Sequence, residues 1–423
     1  MMKSIYPVEQ ELGLRYYASD TPGIDGTLRS VPKDFLVDEI PIHQIHGDGD
    51  YLICKLTKKN WELHRAVKEI SKVLGISHQR IGWGGTKDKR AVTTQWISFY
   101  RIEPEQIERI NMKDITLDVI GISRTPLSLG DLKGNIFSVN IRDCKTDSLQ
   151  ENVENTIAST RQGMPNYYGI QRFGVIRPVT HLVGIEMLKG NYEEAVKCYA
   201  GYACEGEPEE TYNARKDYYD TGDVKEALHN LPVHLRYERS MLHHLVNKPD
   251  DYKGALMNIP PKLLSMFVSA YQSHLFNLAL SMRMKNDIPL TEPVPGDRLL
   301  FENGKEDIVT EKNSKIAAVH IKRGKCAIAI YMPGSLDYSQ YGPMDTCINE
   351  LLCESGITKE GFKTVSEITK SRFNGALRKI SVSTDIDYNI VDNMVSLKFP
   401  LPPGHYATTV CREFMKADPL KMI

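Results

Sequence analysis

A carboxylate flanked by cations is the feature of this sequence with the clearest chemical potential. Asp88 lies in the segment GTKDKR (residues 85–90), directly between Lys87 and Lys89. Positive neighbours favour the ionised form of a carboxyl group, and the same cations can hold phosphate groups. The segment therefore combines an anionic reactive group with side chains that attract a polyanion. A charged turn on the protein surface is the alternative that composition leaves open.

A second segment carries side chains suited to contact with nucleic acid bases. Residues 166–174 read NYYGIQRFG and combine aromatic rings, amides and a guanidinium. Aromatic rings stack on bases, and amides hydrogen-bond to base edges. The alternative is a glycine-rich turn whose rings fill the core. Residue types alone thus lead to nucleic-acid binding and no further.

The pattern around Asp88 predicts a loop between two strands. Residues 81–83 and 93–100 are rich in β-forming side chains, and the glycines near the start of residues 84–90 indicate a loop. Tyr51 to Leu56 is predicted to be an earlier strand of the same region. Asp88 is therefore expected where a loop can present it.

Helical spacing of apolar residues predicts two amphipathic helices in the first part of the chain. The first is expected to have Asn60 as its cap and to end at Gly75. Its polar face carries the basic residues Arg65, Lys68 and Lys72. The second is expected from Leu149 to Gln162.

The pattern changes along the chain in a way that predicts more than one domain. Strands and helices alternate up to about residue 170, whereas residues 180–290 are predicted to be helical. Two runs, 316–321 and 326–331, are predicted to be strands of a small sheet or barrel. Residues 386–398 are expected to form a late strand, before a terminal helix.

The overall charge hides local asymmetry. The formal net charge of the 423 residues is -1, yet residues 55–90 contain ten Lys or Arg and three acids. Residues 205–225 contain seven acids and three bases. Anionic partners are expected to be steered toward the first region. A run of charges on a solvated face is the alternative.

Composition also excludes several classes of protein. With 41% hydrophobic and 25% charged residues, the chain has the composition of a soluble globular protein. The start has no apolar core of a signal peptide, and an apolar run of membrane-spanning length is absent. The eight cysteines show neither a Cys-x-x-Cys pair nor zinc-ligand spacing. We therefore expect a cytoplasmic protein without a metal.

Six ordered blocks carry a resemblance to a known family. The segment GTKDKRAVTTQ (residues 85–95) resembles the signature loop of the TruD family of pseudouridine synthases. Other blocks similar to the family occur in the same order: PKDFLVDE (32–39), LKGNIF (132–137), residues 166–174, SAYQSHLFN (269–277) and YAT (406–408). Together they span nearly the whole chain.

The resemblance implies a reaction on uridine within RNA. Such enzymes break the bond from N1 of uracil to C1′ of ribose, rotate the base and reattach it through C5, without a cofactor or metal. Asp88 matches the family's catalytic aspartate. A fixed carboxylate can stabilise the electron-deficient sugar, attack C1′ or remove a ribose proton. The sequence leaves these roles open.

The resemblance also implies which residues surround the target uridine. Arg29 matches a basic residue that pairs with the aspartate, where we expect lysine in the family. Tyr168 matches the ring that stacks on the turned-out uridine, where we expect phenylalanine. Asn166 is expected to bond the uracil edge.

Further residues are expected to support or line the same site. Phe35 and Glu39 match positions that line the cleft, and Lys87 is expected to hold substrate phosphate. Gln171 either contacts the substrate or shapes the loop that presents Asn166 and Tyr168. Gln272 and Asn277 are further candidates, on a helix that is mostly structural.

The implied fold class is α+β. The family fold is a V-shaped two-domain protein, in which a catalytic domain with a mixed β-sheet carries an inserted, mainly helical TRUD domain. We place the catalytic domain at 1–169 and 386–423 and the insertion at 170–385. The implied partner is tRNA, modified at position 13. A monomer without an obligate protein partner and without a membrane is expected.

Two other functions are compatible with parts of the sequence. An RNA-binding or RNA-chaperone protein would keep the cleft without depending on catalysis, but the intact Asp88 argues against it. A glycosidase or nucleosidase acting on small substrates would need a second acid near Asp88. Cations occupy that neighbourhood instead.

Overall fold

The chain divides into two compact units, each built from two separate segments. The sheet unit consists of Thr21–Arg161 and Ser383–Ile423, and the helical unit consists of Met1–Asp20 and Gln162–Val382. The computed structural model describes residues 2–161 and 163–422. Within these described residues, none of the helices combines the length and the apolar character needed to cross a bilayer.

Strands and helices alternate in the first segment of the sheet unit, while helices dominate the helical unit. In chain order the strands are β1 Asp25–Thr27, β2 Phe35–Pro41, β3 Tyr51–Lys59, β4 Ile81–Trp83, β5 Val92–Tyr100, β6 Ile115–Ser123, β7 Leu132–Cys144, β8 Met164–Pro165, β9 Arg298–Phe301, β10 Glu306–Ile308, β11 Cys326–Met332, β12 Ala376–Lys379, β13 Ser381–Val382, β14 Asp387–Val391 and β15 Met394–Leu401. The helices are α1 Pro7–Glu11, α2 Leu63–Leu74, α3 Pro104–Ile107, α4 Leu149–Thr160, α5 Thr180–Lys189, α6 Tyr192–Gly201, α7 Glu209–Thr221, α8 Val224–Asn230, α9 Arg236–Asn247, α10 Tyr252–Leu256, α11 Pro261–Lys285, α12 Ser314–Lys322, α13 Pro343–Glu354, α14 Lys359–Thr369 and α15 Ala407–Met415.

The sheet unit is organised around one mixed β-sheet. Its main strand order is β14-β15-β7-β2-β5-β3-β6, with β1 paired to β7 and β4 paired to β5. Among the described pairings, β2 and β5 run parallel, whereas β2 and β7 run antiparallel. The C-terminal strand β15 pairs with β7, so the two ends of this unit meet in one sheet. The predicted α+β class with a mixed sheet is confirmed.

Helix α2 covers one face of this sheet. Its residues Leu63, Ala66, Val67 and Ile70 are buried in one cluster with the inward side chains of β3 and β5, as the helical spacing predicts. Gly75 ends the helix with φ 66°, a conformation that glycine adopts without steric cost.

The predicted cap of helix α2 is wrong by two residues. The carboxylate of Glu62 accepts hydrogen bonds from the backbone N–H groups of His64 and Arg65. Asn60 has φ 59°, and its backbone N–H bonds to Ala91 O. The backbone at Asn60 therefore turns out of β3, and the longer side chain of Glu62 reaches the first helical turn.

The helical unit confirms the helices predicted for residues 180–290. Helices α5 and α11 pack closely, because Gly184 lies so near the backbone of Phe267 that a Cβ would collide with its carbonyl oxygen. Strands β9 to β12 form a four-stranded sheet in the order β10-β9-β11-β12. The prediction of a small sheet here is confirmed.

Three local predictions differ from the structure. Residues 316–321, predicted as a strand, lie in helix α12, since a short apolar run does not distinguish a strand from a helix. The single strand predicted at 386–398 is the hairpin β14–β15, with Asp392 in its turn at φ 54°. Helix α4 spans Leu149–Thr160, and the predicted end at Gln162 lies outside the described residues.

Candidate active site

Asp88 lies in the loop between β4 and β5, as predicted. These two strands pair antiparallel, with Trp83 opposite Ile97, so the connecting residues 84–91 form a hairpin loop. The side chain of Asp88 is 46% exposed. Its carboxylate is thus presented to solvent from a loop whose two ends are fixed in the sheet.

Arg29 contacts the Asp88 carboxylate. Its Nη2 donates to Asp88 Oδ2 at 3.2 Å, and its side chain is only 10% exposed. The guanidinium also lies over the ring of Phe35, 4.0 Å from the centroid. Phe35 is buried and packs edge-on against Phe137. The stacked guanidinium therefore has a defined position from which it orients the carboxylate.

Lys87 points into the protein, away from solvent. Its Nζ donates to Glu39 Oε2 at 2.5 Å, and the two side chains are 4% and 0% exposed. The other carboxylate oxygen of Glu39 accepts the backbone N–H of Trp96 at 3.0 Å. The pair ties the loop to β2 and β5, and it occupies the ammonium that we expected to hold phosphate.

Two further hydrogen bonds fix the backbone of the loop. Gln95 on β5 donates from Nε2 to Gly85 O at 3.0 Å. Lys58 on β3 donates from Nζ to the carbonyl oxygen of Asp88 at 2.9 Å. Burial lowers the pKa of Lys58 to about 8, although the nearby Asp88 and Glu62 carboxylates oppose that shift.

Asn166 is buried in the helical unit, directly after β8. Its side-chain amide donates from Nδ2 to Lys379 O at 2.8 Å, and its Oδ1 accepts from Arg378 Nη2 at 3.0 Å. The residue is 2% exposed. The amide therefore bonds to strand β12 through its nitrogen and its oxygen. These are the same two atoms that are expected to contact a base.

Tyr168 follows in the same loop and is held on its backbone by Asn277. The Tyr168 N–H donates to Asn277 Oδ1 at 2.8 Å, and Asn277 Nδ2 donates to Tyr168 O at 2.9 Å. The ring packs edge-on against Phe276, and the Arg378 guanidinium lies 3.9 Å from its centroid. Gln171 is exposed on the short 3-10 helix Ile170–Arg172.

The structure thus brings the expected residues together in two sets. In the sheet unit, Asp88 contacts Arg29, and Phe35 lies under Arg29. Lys87, the residue before Asp88, pairs with Glu39. The second set, in the helical unit, consists of Asn166, Tyr168 and Gln171 on one loop.

Comparison with known proteins gives matches over nearly the full length of the chain. The model of the family described as tRNA pseudouridine synthase D (TruD) matches residues 11–414. The chain belongs to the TruD family. It is therefore an RNA-modifying isomerase of the tRNA pseudouridine synthase class, which converts uridine to pseudouridine.

Individual TruD relatives agree in length and in fold. A "Probable tRNA pseudouridine synthase D" of Methanococcoides burtonii is 39% identical over 439 aligned residues and covers 100% of both chains. One of Archaeoglobus fulgidus is 35% identical, covering 97% of this chain and 100% of the relative. A crystal structure of a "Putative tRNA pseudouridine synthase D (TruD)" from Methanosarcina mazei matches with a TM-score of 0.86 and 37% identity, covering 99% of this chain and 100% of that one.

Three side chains that contact the candidate residues were not identified from the sequence. Lys58 and Gln95 hold the loop of Asp88, and Arg378 contacts both Asn166 and Tyr168. Lys58 had a detectable signal, because it continues the inward-facing row of β3 where an apolar residue is expected. Gln95 ends the family-like block at 85–95, whereas Arg378 had no signal, since it is 210 residues from Tyr168 in the sequence.

Proposed function

We propose that the protein forms pseudouridine at position 13 of tRNA, with Asp88 as the essential carboxylate. The observation that carries this proposal is an exposed carboxylate on a loop whose backbone is bonded at both Gly85 and Asp88. Arg29 adds a buried cation that contacts the carboxylate directly. A reacting group needs this combination of access to substrate and fixed position.

The chemistry follows from the charge that develops when the base leaves. Cleavage of the bond to C1′ places electron deficiency on the ribose, and the Asp88 carboxylate can stabilise it, attack C1′ or remove a ribose proton. Each role needs the ionised carboxylate. The contact with Arg29 places a cation beside the carboxylate and limits the directions in which it can turn.

We propose supporting roles for the remaining predicted residues. We propose that Phe35 supports the Arg29 guanidinium, and that Glu39 and Lys87 serve substrate binding indirectly, because their ion pair fixes the loop that presents Asp88. Asn166, Tyr168 and Gln171 contact the target uridine, as the resemblance implies. The catalytic domain, expected at 1–169 and 386–423, corresponds to the sheet unit, and the insertion, expected at 170–385, corresponds to the helical unit, which also contains the segment before Thr21. The protein acts on tRNA as a monomer in the cytoplasm.

The test is replacement of the carboxylate by an amide of the same shape. Asp88→Asn is expected to lower the rate of product formation by at least about 10²- to 10⁴-fold, because the amide lacks the negative charge. Product is read at position 13 of transcribed tRNA by carbodiimide treatment and primer extension. Binding of tRNA, measured by filter retention, should persist.

Asp118→Asn provides the matched control, since Asp118 is exposed on β6 in the same unit. It should modify tRNA at the wild-type rate. A strong primer-extension stop surviving in Asp88→Asn would exclude the assignment of Asp88. A stop at another uridine that disappears in Asp88→Asn would support the catalytic role of Asp88 and exclude position 13 as the modified position.

A further inference from the structure

Lys58 lies on the face of β3 that packs into the hydrophobic core. Leu52, Cys54 and Leu56 precede it at alternating positions, and all three are buried in the cluster under helix α2. Alternate residues of a strand face the same side. Lys58 itself is 1% exposed, so the row continues with an ammonium group where an apolar side chain would fit.

The ammonium of Lys58 links two backbone segments that meet at the end of this core. Its Nζ donates to Trp61 O at 2.8 Å and to Asp88 O at 2.9 Å. Trp61 lies immediately before the cap of helix α2, and Asp88 carries the carboxylate. One side chain thus joins the start of the helix to the main chain of the reactive residue.

The energetics argue against a role in stability alone. Removing an ammonium from water is costly, and apolar residues of similar volume often replace buried charges without loss of stability. Two carbonyl acceptors offset part of the cost. Lys58 supplies a charged hydrogen-bond donor to the carbonyl oxygen of Asp88. An apolar residue cannot supply such a donor.

We propose that Lys58 is a positioning residue for the isomerisation, which holds the main chain of Asp88 so that its carboxylate meets the target ribose. The proposal rests on the proposed role of Asp88. Lys58 acts through Asp88 and does not itself touch the substrate. An error of about 1 Å in the placement of a reacting group can cost roughly 100-fold in rate.

The surroundings of Lys58 give the proposal a pH dependence. From the loop, Asp88 favours the ammonium and Lys87 opposes it, and Glu62 before α2 favours it. Thr93 on β5 and Ile115 on β6 are its strand partners and carry no charge. Burial dominates and lowers the pKa to about 8, so the charge is lost as the pH rises through that value. The neutral amine keeps N–H groups but donates more weakly.

The experiment compares Lys58→Met and Lys58→Gln with the wild-type protein under single-turnover conditions on transcribed tRNA. Lys58→Met is expected to lower the rate constant about 10- to 100-fold, with the Kd for tRNA within about twofold. Lys58→Gln keeps N–H donors and should lose less. Above pH 8 the wild-type rate should fall relative to that of both variants, which lack the titrating ammonium.

Leu56→Ala is the matched control, since Leu56 lies on the same strand and the same face. It should lower the thermal midpoint without changing the single-turnover rate below that midpoint. Wild-type rates and an unchanged pH profile in both Lys58 variants would overturn the proposal, as would a loss of rate no larger than that of Leu56→Ala. If Lys58→Met fails to fold, the rate and pH profile of Lys58→Gln decide.

The proposed function is tested separately by Asp88→Asn. An inactive Asp88→Asn protein together with fully active Lys58 variants would exclude the positioning role of Lys58 and leave the role of Asp88 intact. An active Asp88→Asn protein excludes the role of Asp88, and with it the reason for positioning.

Discussion

Arg29 shows how one side chain combines two contacts, one with Phe35 and one with Asp88. Its guanidinium lies over the Phe35 ring, 4.0 Å from the centroid, while Nη2 donates to the Asp88 carboxylate. Arg29 has φ 55°, an uncommon backbone conformation for a residue with a side chain. The planar group fits this double contact better than the ammonium of lysine, which is a compact charge. Arginine at this position, where the resemblance implies lysine, therefore keeps the cation and changes its geometry.

At the residue scale we predict a graded effect of replacing Arg29. Arg29→Lys should lower the single-turnover rate by about 3- to 10-fold, because the charge remains but the planar contact is lost. Arg29→Met should lower it by about 100-fold, since Asp88 then loses its cation. Rapid-quench kinetics on tRNA measures both.

Arg124→Met serves as the control, because Arg124 pairs with Asp48 at an exposed site of the same unit. Its rate should equal that of the wild-type protein. Equal rates for the two Arg29 variants would show that the charge at this position has no role.

At the scale of elements, strand β3 and helix α2 together determine where the loop of Asp88 lies. The helix begins at the Glu62 carboxylate, which accepts two backbone N–H groups. Lys58, four residues earlier, reaches from the strand to the loop. The turn between strand and helix therefore contributes both to helix stability and to the site.

Glu62→Ala tests this capping contact. Burial alone would raise the pKa of Glu62, but the hydrogen bonds from His64 and Arg65 outweigh it, so the pKa is lowered. The cap thus stabilises fully above the unfolded pKa of about 4.3 and is lost as the pH falls through the folded pKa. At pH 7 we expect Glu62→Ala to lower the unfolding free energy by about 1 kcal/mol.

Urea unfolding followed by circular dichroism between pH 3 and pH 7 measures this difference. The difference between the two proteins should shrink toward the acidic end. Glu69→Ala, which removes an exposed carboxylate on the same helix, should have little effect at either pH. A difference that stays constant with pH would contradict capping by the ionised carboxylate.

At the scale of the whole molecule, the distribution of charge matters more than its sum. Of the basic residues in 55–90, Lys58 and Lys87 are buried and bonded inside the protein. The exposed ones are Lys55, Arg65, Lys68, Lys72, Lys89 and Arg90. A molecule with a net charge of -1 therefore keeps two exposed cations, Lys89 and Arg90, next to Asp88 in the loop, where a polyanion is attracted.

The double variant Lys89→Ala and Arg90→Ala tests this surface. Both side chains are exposed beside Asp88, so we expect weaker tRNA binding. The slope of log K against log salt should decrease in magnitude by about 1 to 2, about one for each lost phosphate contact. Filter binding between 50 and 200 mM salt, a range in which phosphate contacts change affinity by orders of magnitude, measures it.

A matched double variant removes the same charge elsewhere. Lys189→Ala and Lys197→Ala remove ammonium groups that pair with Glu186 and Glu193 in the helical unit. These changes should leave the salt slope unchanged. Equal slopes for the two double variants would place the phosphate contacts outside the loop of Asp88.

Local sequence patterns determined much of the secondary structure around Asp88. The helical spacing before Gly75, the β-forming residues on either side of the loop and the position of Asp88 within it were all predicted correctly, because these features depend on neighbours in sequence. The motif at 85–95 indicated the family. The strand predicted from the short apolar run at 316–321 was wrong. Only Ala317 of helix α12 is fully buried, so the spacing of buried residues does not distinguish a helix from a strand there.

Tertiary structure decided what each charged side chain does. Within the segment at 85–90, Asp88 faces solvent and contacts Arg29, whereas Lys87 turns inward to Glu39. Lys58 bonds to Asp88 across 30 residues of chain. The direction of a side chain and the burial of its partner depend on strands that are far apart in sequence. The sequence by itself indicated the family and the candidate carboxylate, and only packing decided which cations hold that carboxylate and its loop in place.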